Sequence, residues 1–268
     1  MWIADKLAYR NESNFIRAYK GSELVWELPS GSYYIKWNPS SAEGQFNIDG
    51  PTYNLSTFSG LYYWSTGVIN SSAFKNNEYI QSIETNAKKI GSSAFNACSS
   101  LSKISLPACE YIGNYAFYSC SFLSQVSLPK CSYIGDRAFA NCSSLSKVIL
   151  TMCKSIGSMA FDDCISLTQI SLPVCSYIDS YAFYYCSSLS KVSLPVCEYI
   201  ESCAFDGCSA LSRITIGYSG VCSLVSSNAF NNTQITSSTG SIYVPSSLVA
   251  SYKDHSIWSN FKNRIFAI

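Results

Sequence analysis

A fixed internal period constrains this chain more than any other feature. Phe95, Phe117, Phe139, Phe161, Phe183 and Phe205 follow one another at intervals of 22 residues. Ile90, Ile112, Ile134, Ile156, Ile178 and Ile200 keep the same interval, as do Leu101, Leu123, Leu145, Leu167, Leu189 and Leu211. One unit, residues 112–133, reads IGNYAFYSCSFLSQVSLPKCSY. Self-similarity of this length marks a stacked array, because a single unit cannot bury its apolar face and must cover it with the next. The pattern erodes at both ends. Ile69, Ala73 and Phe74 fit a unit one residue short, and Val225, Ala229 and Phe230 fit after a three-residue insertion. Terminal units of an array must cover the core instead of stacking on a neighbour, so erosion is expected there.

The pattern within a unit predicts its shape. In Leu-x-x-Ile-x-Leu-Pro, as at 101–107, Ile104 and Leu106 share one face of a strand while Lys103 and Ser105 face solvent. Proline ends the strand, since it has no N–H to give to a ladder. Gly91, Gly113, Gly135 and Gly157 follow the isoleucine column and suit a turn. The Ala-Phe pair and the cysteine after it fit a short helical or irregular return. Stacking sets like residues over like, so the phenylalanines should form a continuous spine.

These motifs resemble the BspA-like family of bacterial leucine-rich repeats, also called the Treponema pallidum type. Its unit is a Leu-x-x-Ile-x-Leu-Pro strand and an Ile-Gly-x-x-Ala-Phe-x-x-Cys-x-x-Leu return. Residues 90–216 match it nearly position by position, and degenerate flanking units extend the match to about 69–246. Ile242, Tyr243, Val244 and Pro245, with Tyr252, Trp258 and Phe261, look like the ending common in this family. The resemblance implies a leucine-rich repeat solenoid, mainly β with short helical or 3-10 returns, built of right-handed stacked 22-residue units. It also implies a secreted or surface-displayed bacterial protein that binds host or microbial partners. Members have been linked to adhesion and to matrix proteins, and related repeats occur in phage and in protist surface proteins.

Charge and composition exclude some functions. Lys and Arg number 18 against 17 Asp and Glu, a formal net charge of +1. That balance gives no electrostatic reason to expect nucleic acid or an anionic membrane as partner. No apolar run approaches the length of a transmembrane helix. Only 13% of residues are charged, so the soluble surface must be built from Ser, Asn, Tyr and Gly. Met1, Trp2, Ile3, Ala4, Asp5 and Lys6 lack the basic start and apolar run of a secretory signal. That departs from the extracellular location the resemblance implies.

Eleven of the 13 cysteines fall every 11 residues, from Cys98 to Cys208, and only Cys203 and Cys222 lie outside the two columns. Zinc wants closely paired ligands such as C-x2-C, and none is present. Disulfides would suit secretion, and stacked strands lie close enough for them. Parallel side chains in a ladder do not turn toward one another, however. The remaining reading is a small buried hydrophobe in a tight corner.

The chain carries few residues in a catalytic pattern. His255, the one histidine, lies in a polar stretch with no positioned nucleophile, which fits a solvated or capping role. Asp162 and Asp163 are the only adjacent carboxylates in the array and read as a turn or surface pair. No glycine-rich phosphate loop follows a strand. We therefore expect neither an enzyme nor a cofactor.

Binding features are better represented. The outward strand column carries Lys103, Gln125, Lys147, Gln169, Lys191 and Arg213, beside Ser105, Ser127, Ile149, Ser171, Ser193 and Thr215. On a concave solenoid face these make a ribbon of long donors and hydroxyls; they also serve simply to keep a sheet soluble. Tyr181, Tyr184 and Tyr185 stand where other units carry Ser, Arg, Met, Ala, Asn or Asp, so packing does not require them. Clustered aromatics favour a protein or glycan contact. Tyr133 and Tyr177 belong to a mostly tyrosine column and fit structural stacking.

Residues 1–66 differ in texture. Positions 15–26 read as a strand, a glycine-containing turn and a second strand, and 30–37 and 44–48 add others. We expect a β-rich N-terminal cap over 1–66, with attachment as the alternative role, a solenoid over 67–246 and a C-terminal cap over 247–268. The expected function is non-catalytic binding of a host or microbial protein or glycan. The rival is a structural part of a larger particle, such as a phage tail.

Overall fold

The structure is a computed structural model that describes residues 67–268, apart from positions 79, 86 and 238. It also describes the strands Lys6–Tyr9, Ile16–Lys20, Glu23–Leu28, Tyr34–Asn38 and Gln45–Asn47. The strands form two parallel stacks. A short sheet takes two residues from each unit, with Ile112 opposite Ile90 on one side and Ile134 on the other. A long sheet takes the strands Lys103–Ser105, Gln125–Ser127, Lys147–Ile149, Gln169–Ser171, Lys191–Leu194 and Arg213–Ile216. It continues through Ser241–Val244 to Ile265–Ala267 at one end. At the other it passes through Ser82–Thr85 to Tyr34–Asn38, which pairs in parallel, and then to Gln45–Asn47, which pairs antiparallel. Lys6–Tyr9, Ile16–Lys20 and Glu23–Leu28 form a separate antiparallel sheet.

Alternation along each long-sheet strand decides which residues are buried. Ile104, Val126, Val148, Ile170, Val192 and Ile214 turn inward, while Lys103, Gln125, Lys147, Gln169, Lys191 and Arg213 stay exposed. Inside, the phenylalanine rings from Phe74 to Phe230 stack nearly parallel. Phe139 lies 5.1 Å from Phe117 and 5.4 Å from Phe161, at interplanar angles of 6° and 4°.

A run of tight turns closes each unit, and it has its own ladder. In 113–120 the N–H groups of Ala116, Tyr118 and Cys120 each donate three residues back, a 3-10-type bond. The alternate N–H groups, of Tyr115, Phe117 and Ser119, donate forward to the carbonyls of Asp136, Ala138 and Ala140 in the next unit. This alternation needs left-handed backbone at two positions per unit. One column is Ser93, Tyr115, Arg137, Met159, Tyr181 and Cys203, with φ between 50° and 60°. The other is Ala97, Ser119, Asn141, Asp163 and Tyr185, with φ between 52° and 61°, and then Gly207 at 79°. Left-handed backbone costs an L residue roughly 1–2 kcal/mol, and here each such residue gains an inter-unit hydrogen bond.

The glycine column opens each turn, as expected, with the Gly113 and Gly135 carbonyls accepting from Ala116 and Ala138, but not through left-handed backbone. Gly113 and Gly135 do not have positive φ; they bring two units into contact. A Cβ on Gly135 would lie 2.7 Å from the Asn114 nitrogen, and one on Gly113 would lie 2.7 Å from that of Ser92. The column ends at Asp179, whose carboxylate accepts the Ser180 N–H at 2.6 Å.

All thirteen cysteines are buried free thiols. Cys120, Cys142, Cys164, Cys186 and Cys208 each donate to the phenylalanine carbonyl of the preceding unit's spine, over 3.0–3.2 Å. In the second column, Cys109, Cys131, Cys153, Cys175 and Cys197 donate to the carbonyl two residues on, over 3.1–3.3 Å. Each position thus takes a small apolar side chain that carries one weak donor.

At the C-terminal end Phe230 meets Trp258 at 5.9 Å and the edge of Phe261 at 5.5 Å. The Trp258 indole donates to the Cys222 carbonyl at 2.6 Å, and the Tyr252 hydroxyl accepts the Cys222 N–H at 2.8 Å.

Candidate partner-binding surface

The outward ribbon forms on the long sheet. In register, Lys103 faces Gln125, Gln125 faces Lys147, Lys147 faces Gln169, Gln169 faces Lys191, and Lys191 faces Arg213. Beside it runs a hydroxyl row, with Ser171 opposite Ser193 and Ser193 opposite Thr215. The outer face holds a depression of about 800 Å³ lined by Gln125, Lys147, Gln169, Lys191 and Arg213, with Ser171, Ser193 and Thr215 beside them. Lys103 continues the row outside the depression.

Two hydroxyl rows differ in what they do. Ser124, Ser146, Ser190 and Ser212 bond their hydroxyls to the backbone of the preceding unit, over 3.1–3.4 Å, and so staple the sheet. Ser171, Ser193 and Thr215 direct no hydroxyl to another described residue. Nor do Lys103, Lys147, Lys191 or Arg213 pair with a carboxylate among the described residues. No carboxylate lines the depression, so three cations, two amides and a hydroxyl row face solvent together.

Sequence reasoning missed the end of this ribbon. Thr215 faces Tyr243, and Tyr243 faces the exposed Phe266, with their rings 6.0 Å apart. The Arg213 guanidinium lies 4.2 Å over the Tyr243 ring. The insertion before Val225 breaks the period, so column counting stops at Arg213, although the sheet continues into Ser241–Val244.

Tyr181, Tyr184 and Tyr185 come together, but elsewhere. They sit in the turn ladder, and none lines the depression. Tyr181 meets Tyr184 edge-on at 5.3 Å, and Tyr184 meets Tyr185 at 4.3 Å. Only Tyr185 is exposed; the other two are half-buried against it and one another. Gly207 leaves room for the Tyr185 ring, which a Cβ there would meet at 2.7 Å. Its hydrogen bond with Tyr185 pushes the Tyr184 phenol up to about 12. In the separate tyrosine column, Tyr111 and Tyr133 stack at 5.2 Å.

The remaining candidates have local roles. His255 Nδ1 accepts the Ile257 N–H at 3.2 Å, which caps a turn. Burial, reinforced by Asp163 and opposed by Arg137, pushes Asp162 up to about 6. Among the described residues no group of three or more His, Cys, Asp or Glu side chains is placed to hold a metal ion. No described helix is long and apolar enough to cross a membrane.

A family model for the BspA type leucine rich repeat region matches in six copies, over residues 64–152 and 132–252. The chain belongs to this family. No curated protein matches it. Among solved structures, one similar fold is a leucine rich cell surface protein from Faecalibacterium prausnitzii A2-165, at 24% identity and a TM-score of 0.48. That match covers 67% of this chain, which spans 58% of the length of the Faecalibacterium protein. A leucine-rich repeat protein from Bacteroides ovatus matches at 20% identity and a TM-score of 0.42, over 91% of this chain and 70% of that one. The T. pallidum leucine rich repeat protein matches at 24% identity and a TM-score of 0.39, over 56% and 64% of the two chains.

Proposed function

We propose that this BspA-type chain is a non-catalytic binding protein that engages a host or microbial protein or glycan through the outer face of its long sheet. The carrying observation is the ribbon from Gln125 to Arg213, whose cations meet no carboxylate and whose Ser171, Ser193 and Thr215 hydroxyls make no hydrogen bond among the described residues. In this reading Lys103, Gln125, Lys147, Gln169, Lys191 and Arg213 contact the partner, and Tyr181, Tyr184 and Tyr185 form a second, smaller patch on the turn side. The units are right-handed coils of 22 residues. Residues 1–66 cap one end and residues 247–268 the other, with the solenoid over 67–246 between them. Secretion or display on a bacterial surface fits the family.

The test is binding of immobilised mucosal glycoproteins, matrix proteins and glycans, by interferometry, to the parent and two variants. Gln169→Trp places a bulky ring in the depression, and a Tyr181→Ala/Tyr184→Ala/Tyr185→Ala variant clears the other patch. Loss in the first variant alone supports the ribbon as the main site. Loss in the tyrosine variant alone moves the site to the turn side, and binding indifferent to both sinks this reading.

A further inference from the structure

We infer that the ribbon's ligand is an unbranched acidic polysaccharide that runs along the solenoid axis, with one anionic group per disaccharide. This inference rests on the sheet face being the binding surface. Lysine and glutamine take turns on successive strands, so Lys103, Lys147 and Lys191 stand on every second strand. Neighbouring strands lie about 4.8 Å apart, which sets these cations about 9.6 Å apart along a line. That is close to the length of an extended disaccharide. Between them, Gln125 and Gln169 offer an amide donor and acceptor to the uncharged sugar of each pair.

The neighbouring rows fit the same ligand. Ser171, Ser193 and Thr215 run parallel to the cations with their hydroxyls free, which suits a chain studded with hydroxyls. At the C-terminal end the row becomes Tyr243, covered by Arg213, and then Phe266, whose exposed ring offers an apolar platform for a sugar face. A protein partner is less well served. Protein interfaces are anchored by large apolar or aromatic side chains in desolvated pockets, whereas Val148, Ile170 and Val192 lie buried in the core beneath this depression. The absence of any lining carboxylate favours an anionic ligand over a neutral one.

The experiment compares fluorescent hyaluronan oligosaccharides, which carry one carboxylate per disaccharide, with polygalacturonate, which carries one on every sugar, and with neutral dextran. Lys147→Gln/Lys191→Gln, Lys147→Arg/Lys191→Arg and Gln169→Trp variants of the full chain are titrated beside the parent. Exposed charge pairs contribute up to about fivefold each, so the glutamine pair should weaken hyaluronan binding on the order of tenfold. The arginine pair should restore it, and added salt should weaken it by screening. Dextran should not bind, and polygalacturonate should bind no more tightly than hyaluronan. Binding indifferent to the glutamine pair, a preference for polygalacturonate, or dextran bound as well as hyaluronan overturns the inference. If Gln169→Trp abolishes binding of dextran or a glycoprotein that the lysine variants leave intact, the sheet face stands and the acidic ligand falls. If Gln169→Trp changes nothing for any ligand, both readings fall.

Discussion

Removing the ring of Phe139 tests the spine most directly. Phe139 is fully buried and stacked on both sides, against Phe117 and Phe161. Phe139→Ala removes the apolar burial of the ring and leaves a cavity between rigid sheets, for an expected loss of about 3–5 kcal/mol. Phe139→Leu keeps most of the apolar volume and loses two ring contacts of about 0.5–1.5 kcal/mol each, so it should cost about 1–3 kcal/mol. The assay is urea unfolding followed by circular dichroism, with the midpoint shift converted through the slope. Because each unit touches only its neighbours, the alanine variant should also broaden the transition as the array separates at the gap. A loss below about 1 kcal/mol for Phe139→Ala would refute the spine as a source of stability. Equal losses for the two variants would show that ring stacking, not filled volume, is what matters.

Ala97 holds a left-handed φ of 58°, so Ala97→Gly should stabilise the fold by about 0.5–1 kcal/mol, read as a higher urea midpoint. Gly135→Ala should do the opposite, by about 1–3 kcal/mol, because its Cβ would meet the Asn114 nitrogen at 2.7 Å and force two units apart. Burial pushes the Cys98 and Cys175 thiols up to about 12 from an ordinary value of 9.0, and Cys120, Cys142 and Cys186 well up. Above pH 9.0 the unfolded chain loses these protons before the folded one, so stability present at neutral pH should fall as pH rises from 9.0 toward 12. The slope is about 1.4 kcal/mol per pH unit for each such thiol, so urea midpoints measured from pH 7 to 10 should drop steeply above 9. A flat profile would contradict it. In the same protein at neutral pH, iodoacetamide should label the thiols far more slowly in buffer than in denaturant.

What stacks in this fold could be read from its sequence, because stacking sets identical residues over one another. The phenylalanine and leucine columns announce the spine and the long sheet, and the alternation at Ile104 and Leu106 gives the outward column with its register. The short sheet, at Tyr111–Ile112, has only two residues per unit and leaves no alternation to read. The left-handed positions left no such trace. Ser93, Tyr115, Arg137, Met159 and Cys203 share a backbone conformation but no side-chain chemistry, and glycine appears in neither column until Gly207. The visible glycines point to a turn, which Gly113 and Gly135 do open, but their second part, close approach between units, is not legible from one chain position. For the candidate site, the ribbon was legible as a column, but its aromatic end at Tyr243 and Phe266 lay beyond a break in the period. Side-chain spacing along one unit says nothing about which face a turn residue joins. Tyr181, Tyr184 and Tyr185 therefore read as an aromatic cluster with no face assigned, and the structure sets them in the turn ladder.

The turn ladder points one way. Every unit sends N–H groups toward the C-terminal end and receives them on carbonyls that face the N-terminal end. The last set, from Cys203, Phe205 and Gly207, is taken up by the Asn228 side chain and by the Ala229 and Asn231 carbonyls. The solenoid is therefore a polar rod with chemically unlike tips. Two copies could prolong this ladder only head to tail, and a like-to-like meeting would set donors against donors or acceptors against acceptors. Asn228, Ala229 and Asn231 work as a stopper for growth in the donor direction. A chain cut before them would carry an open donor edge, complementary to the opposite tip of its own twin.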